Sequence, residues 1–145
     1  MNPAQPWNGK FNVVFVCIGN ACRSQMAEGF ARAYGSDVLE VCSAGLMPTN
    51  TVPSTTRKVM LEKNIPIDSQ FPKGIEIYTR TSFDLVVNMS GEKLPKKFDP
   101  VIRNWLVADP MGSSDGVFRQ VRDEIETLVM KLVLEFRSKA KLLKK

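Results

Sequence analysis

A largely apolar run, FNVVFVC, broken only by Asn12, ends on Cys17, and seven residues later SQMAEGFARAYG takes up a helical spacing. A strand that is apolar at every position after Asn12 is buried on both faces, so it belongs inside a sheet covered by further layers. The segment between them, Ile18 to Arg23, is too short for anything but a loop. Few folds accept a buried strand that turns within six residues into a helix. The main one is an open parallel sheet with crossover helices.

The rest of the chain repeats that alternation. Val38–Cys42 predicts a second strand, Ser43–Val52 a loop, and Pro53–Asn64 a helix opened by Pro53 and stopped before Pro66. In the first helix Met26, Phe30 and Ala33 share one face, Ser24 is placed to cap it, and Gly35 suits its end. Ile65–Ser82 alternates in a way that fits helix or strand. Phe83–Met89 and Val101–Val107 predict the third and fourth strands. A last helix, capped by Asp115 or a neighbouring serine, carries a stripe of Phe118, Val121, Ile125, Leu128, Leu132 and Phe136. Arg32, Arg119 and Arg122 read as solvated helix faces. Residues 1–10 read as a loose arm. The expectation is one α/β domain over residues 1–145: a four-stranded parallel sheet flanked by helices in three layers, with a phosphate-binding loop after the first strand. In such sheets ligands bind beyond the carboxyl ends of the strands. Cys17, Ser43, Ser90 and Asp109 follow the four expected strands and should share one rim.

Composition narrows the chemistry. The 145 residues include three cysteines and no histidine. Three cysteines make no disulfide framework, so a reducing, cytoplasmic setting is expected. The early apolar run reads as a strand and not as a signal peptide, and no stretch approaches the ~20 apolar residues of a membrane span. The net charge of +5 is concentrated in a lysine-rich tail without interleaved aromatics, which favours neither nucleic acid nor membrane. Without imidazole, any cysteine nucleophile needs another means of activation.

The loop supplies one. Backbone N–H groups at a strand-to-helix turn, with the helix dipole behind them, make an anion cradle. Gly19 permits a tight turn, and Arg23 adds a planar fork of donors suited to a tetrahedral oxyanion. Ile18, Gly19, Asn20, Ala21, Cys22, Arg23 and Ser24 form the expected phosphate-binding loop, with Cys17 at its floor. The donors that hold an anion also stabilise a thiolate.

The pattern C-x5-R-S from Cys17 to Ser24 resembles the low-molecular-weight protein-tyrosine-phosphatase family, whose superfamily includes the thioredoxin-coupled arsenate reductases. The resemblance extends to VCSAG, FDLVV and VADP and so covers nearly the whole chain. It implies Cys17 as nucleophile, Arg23 as oxyanion clamp, Ser24 as hydrogen-bond partner of the thiolate, Asn20 and Ser43 as supports, and Asp109 as general acid and then base. No metal or cofactor is called for. Asn20, Glu28 and Ser43 also match oxygen ligands of a potassium site in some arsenate reductases, or form a hydrogen-bond network. Cys22 is either a small loop filler or a redox partner for Cys17. Cys42 reads as core.

Two departures stand out. Eukaryotic-type members place aromatics after Asp-Pro, where this chain has Met111 and Gly112; Trp105 or Phe71 are candidate substitutes for that wall. The thioredoxin-coupled reductases carry two relay cysteines after the third strand, where this chain reads VVNMSGEKLPKK, with Ser90 at the first position. The first functional reading is a phosphomonoester hydrolase acting on a phosphorylated protein or small aryl phosphate through a phosphocysteine on Cys17. The alternatives are an arsenate reductase using an external small thiol, and an inactive phosphate-binding module. The sequence gives no oligomeric state.

Overall fold

The computed structural model describes residues 7–144. Its elements are β1 (Phe11–Cys17), α1 (Arg23–Gly35), β2 (Leu39–Gly45), α2 (Ser54–Leu61), β3 (Leu85–Asn88), β4 (Ile102–Asn104) and α3 (Asp115–Leu143). The strands form one parallel sheet in the order β2-β1-β3-β4. The expected fold class holds.

β1 is the central organiser, because its alternating side chains feed two cores. Phe11, Val13, Phe15 and Cys17 face the cluster containing Met26 and Phe30 of α1, Val59 and Met60 of α2, and Ile125, Val129 and Leu132 of α3. Val14 and Val16 face a smaller cluster with Val86, Ile75, Leu94 and Phe98. All three α-helices therefore pack on one face. The other face is covered by two 3-10 helices, Ile75–Tyr78 and Lys96–Val101, and their flanking loops. Each fully buried Phe or Val is worth roughly 1.5–3 kcal/mol of apolar transfer, so a strand contributing to both cores fixes the sheet's position.

Several boundaries differ from expectation, each for a local reason. β2 continues through Ser43 to Gly45, because Ser43, Ala44 and Gly45 pair with Phe15, Val16 and Cys17 in register. α1 begins at Arg23; Cys22 occupies its N-cap position without a side-chain cap, and Ser24 lies inside the helix. α2 ends at Leu61, and the chain leaves it through Asn64 at φ 59°. The ambiguous stretch Ile65–Ser82 is neither α-helix nor strand, apart from the 3-10 turn at Ile75–Tyr78. Ser114 caps α3, accepting from the Val117 N–H at 3.4 Å. Arg122 is not a solvated residue: it is buried and donates to the Val59 carbonyl at 3.0 Å and to Glu62 at 2.6 Å, tying α3 to α2. In the expected N-terminal arm, Trp7 packs against Phe11 with tilted rings whose centroids are 5.2 Å apart, and donates to the Lys10 carbonyl. Residues 1–6 of that arm, and Lys145, lie outside the described residues.

Candidate active site

β1 and β3 are neighbours although β2 intervenes in sequence, so the chain departs in opposite directions from the carboxyl ends of β1 and β3. A crevice opens at such a point. Here it is filled by residues 18–22, which wrap around the Cys17 sulfur.

Two features give this loop its shape. Asn20 takes a left-handed φ of 50°, and its side chain holds the conformation from behind. Its amide nitrogen donates to Ser24 Oγ at 2.7 Å and Ser43 Oγ at 2.9 Å, while its oxygen accepts the Lys73 N–H at 3.0 Å. Ser43 in turn donates to the buried Glu28 carboxylate at 2.5 Å, and Arg32 caps that carboxylate from the outside. Gly45 allows the loop to lean on β2: a Cβ there would stand 2.7 Å from the Ile18 carbonyl oxygen and 2.8 Å from the Asn20 nitrogen. The segment after β2 then runs alongside the loop, with Leu46, Met47 and Thr49 donating to the carbonyls of Cys17, Ile18 and Gly19.

The loop's carbonyls are thus engaged from outside. Its N–H groups are not: from Ile18 to Ser24 none has an acceptor among the described residues, although residues 20–24 are buried. Buried orphan N–H groups are rare in native proteins. A run of them at a helix start is the structural mark of an anion site.

Cys17 Sγ lies 2.9 Å from Ser24 Oγ. Because Ser24 Oγ already accepts from Asn20, its own hydrogen is free to point at the sulfur. Arg23 is buried, and its guanidinium donates to the carbonyls of Met89 at 2.6 Å and Val107 at 3.2 Å. The same group reaches Asp109 at 3.6 Å. Arg23 therefore ties the loop to the segments after β3 and β4, and brings Asp109 to the cavity mouth. The cavity encloses about 190 Å³ and is lined by Cys17, Ile18, Gly19, Ala21, Cys22 and Arg23, with Met47, Thr49, Asp109 and Met111 around the opening.

Not every expected residue converges there. Asn20, Ser24 and Ser43 stand behind the loop as a buried network. Ser90 is elsewhere: its hydroxyl donates to Asn88 Oδ1 at 2.6 Å and it is not part of the cavity wall. The candidates for the mouth, Trp105 and Phe71, are also absent from the wall. Trp105 packs on Phe15 in the core, with centroids 5.9 Å apart, and Phe71 is exposed. Two methionines take that place, Met47 and Met111. Cys22 accepts from Thr56 Oγ1 at 3.4 Å, and burial pushes its thiol up to about 11. Cys42 is only partly buried, and burial raises it to about 11 as well.

Sequence reasoning missed Gln25, Met47, Thr49 and Lys73. Gln25 is fully buried and donates to the Asn20 and Phe71 carbonyls, while Gln70 donates to Gln25, so residues 70–73 are stapled to the loop. A glutamine on the apolar side of α1 was the available signal. Met47 and Thr49 were implied by parallel pairing, since whatever follows β2 must run beside whatever follows β1.

Residues 12–144 match the family described as low molecular weight phosphotyrosine protein phosphatase. The chain is 37% identical over 125 residues to a glutaredoxin arsenate reductase of Synechocystis sp., covering 83% of this chain and 95% of that protein. It is 38% identical over 120 residues to an arsenate reductase of Bacillus cereus, covering 80% and 89% respectively. A solved arsenate reductase in the phosphate binding state superposes with a TM-score of 0.81 at 35% identity, covering 87% of this chain and 98% of the other. These relatives overturn the first functional reading, that of a phosphatase acting on phosphotyrosine or aryl phosphates. They favour the alternative drawn from the sequence.

Proposed function

The chain belongs to the low molecular weight phosphotyrosine protein phosphatase family, and within it we propose that it is an arsenate reductase supplied with electrons by an external small thiol. One observation carries the reading: a cysteine sulfur sits at the floor of an oxyanion-sized cavity with unpaired backbone N–H groups and Arg23 around it, in a chain similar to proteins that reduce arsenate.

The reaction follows from the placement of the groups. Arsenate, a tetrahedral oxyanion, is held by the loop N–H groups and Arg23. The Cys17 sulfur attacks arsenic, and one As–O bond breaks as Asp109 gives a proton to the departing oxygen, which leaves as water. Ser24 holds the Cys17 sulfur in line, with Asn20 and Ser43 bracing Ser24. A donor thiolate then attacks the Cys17 sulfur. A disulfide forms between donor and Cys17, the S–As bond breaks, and its electron pair remains on arsenic. Arsenic(V) thereby becomes arsenic(III) and departs as arsenite. A second donor thiol reduces the mixed disulfide, so two thiols become one disulfide per arsenate reduced.

The donor has to be external because the chain offers no better attacking thiol. Ser90 cannot form a disulfide. Cys42 contributes to the opposite core, beside Tyr78. Cys22 is close, but a thiol raised to about 11 is almost wholly protonated at neutral pH.

The test is a coupled assay of the purified chain with arsenate. Glutathione, glutaredoxin and a nicotinamide-linked reductase should support arsenite formation, whereas thioredoxin and its reductase should not. Turnover with thioredoxin as sole donor would overturn the external small-thiol route. No arsenite with any donor, from protein that still binds phosphate, would overturn the reductase.

A further inference from the structure

The two methionines at the mouth change what the cavity can bind. Four sulfur-bearing side chains, Cys17, Cys22, Met47 and Met111, line a single space of about 190 Å³. Cys22 Sγ and Met111 Sδ are 4.0 Å apart. Met111 is held in place by its own backbone, whose N–H donates to Asp109 Oδ1 at 3.0 Å, and the turn is closed by the Ser113 N–H to the Pro110 carbonyl at 2.8 Å. Neither thiol is engaged in a disulfide.

We propose that this cavity is also a binding site for one soft monovalent cation, Cu(I) or its analogue Ag(I), ligated by the Cys17 and Cys22 thiolates with the Met111 thioether as third ligand. Thiolate and thioether sulfur select soft ions of this kind over Mg2+, Ca2+ or Mn2+, which prefer oxygen. Charge favours the complex in a place built for anions: one monovalent cation with two thiolates carries a net charge of −1. Arg23 and the unpaired loop N–H groups are therefore complementary to the complex, although they would repel the bare ion. Binding releases whatever thiol protons the two cysteines still carry, since a coordinated thiol is deprotonated by its metal. It involves no redox step. The ion and an oxyanion occupy the same space, so each excludes the other. Arsenate reduction and cation binding are separate properties, and binding is read without turnover.

The experiment is an anaerobic titration of the reduced full chain with Cu(I) in the presence of a chromophoric Cu(I) chelator, repeated with Ag(I). One equivalent should bind per chain, with affinity rising with pH and falling as inorganic phosphate is added. Met111→Leu should weaken binding at least about 10-fold, since losing a ligand costs no less than losing an outer-shell partner of a metal site. Cys42→Ser should leave it unchanged. In the unaltered protein, one equivalent of Cu(I) should protect Cys17 and Cys22 from alkylation but not Cys42, as read by mass spectrometry; this needs no variant to fold. Protection of Cys17 alone, equal affinity in Met111→Leu, or loss of the site in Cys42→Ser would each overturn the assignment.

Discussion

β1 and β3 lie side by side, with Val16 opposite Asn88, yet their carboxyl ends do opposite things. Beyond β1 the chain curls around a sulfur with its N–H groups unpaired, and its carbonyls are engaged from outside. Beyond β3 the chain closes a self-sufficient turn. Asn88 Oδ1 accepts from both the N–H and the hydroxyl of Ser90, Ser90 Oγ accepts the Glu92 N–H, and Gly91 takes a φ of 76°. Position at the carboxyl edge of a parallel sheet is shared by both segments. What separates them is whether local side chains already satisfy the backbone. A turn that satisfies its own donors offers nothing to a ligand; a loop whose donors are left over does.

The contrast can be broken most severely at Cys17. Cys17→Ser is expected to reduce arsenite formation by roughly 10⁴-fold or more, as loss of a nucleophile commonly does, while phosphate binding followed by calorimetry persists. Retained turnover would remove the β1 end from the chemistry. Asp109→Asn should slow reduction by about 10²–10⁴-fold, the usual worth of a positioned acid, with little change in phosphate affinity, because Arg23 remains.

A smaller effect separates the two cysteines of the β1 end. Cys22 is a weak acid raised by burial, so it is neutral below about 11 and becomes a thiolate only as pH rises through that value. Its alkylation rate should therefore climb about tenfold per pH unit from pH 7 to 10, as the thiolate fraction does. A plateau already reached at pH 8 would show that burial does not govern it. The smallest effect belongs to the β3 end. Ser90→Ala should change the rate of arsenate reduction less than about twofold, as expected for a position away from the chemistry. Ser90→Cys should not make thioredoxin an effective donor, because the turn directs that side chain toward Asn88 and Glu92.

The sequence made the β1 end legible and left the β3 end obscure, for the same reason. β1 is read residue for residue because both its faces are apolar, and Cys17, Arg23 and Asp109 are chemically conspicuous. The third strand reads longer in the sequence because Phe83 and Met89 are apolar like its core, although the register with β1 runs only from Leu85 to Asn88. Serine at position 90 looked like a rim residue because spacing carries no information about which way a turn faces. The end of β2 was hidden for another reason: Ser43, Ala44 and Gly45 have little strand preference of their own and are extended only because β1 pairs with them. The methionine mouth was invisible because it depends on where residues 46–49 and 110–112 meet, which is a tertiary fact. The buried roles of Arg122 and Gln25 were missed because a polar side chain on a helix reads as solvated unless its partners are known.

The glycine at the end of β2 has a consequence for how far the decapeptide from Val16 to Gln25 can be treated as a portable unit. The cradle is cast in a mould whose other half is the backbone of a different strand, approaching so closely that no side chain fits between them at Gly45. Transplanted onto another scaffold, or synthesised alone, those ten letters would have no surface to be pressed against, and the orphan donors would turn to water. A faithful graft has to carry residues 43–49 with it, so the smallest unit that can be inherited, borrowed or engineered is a pair of adjacent strand ends.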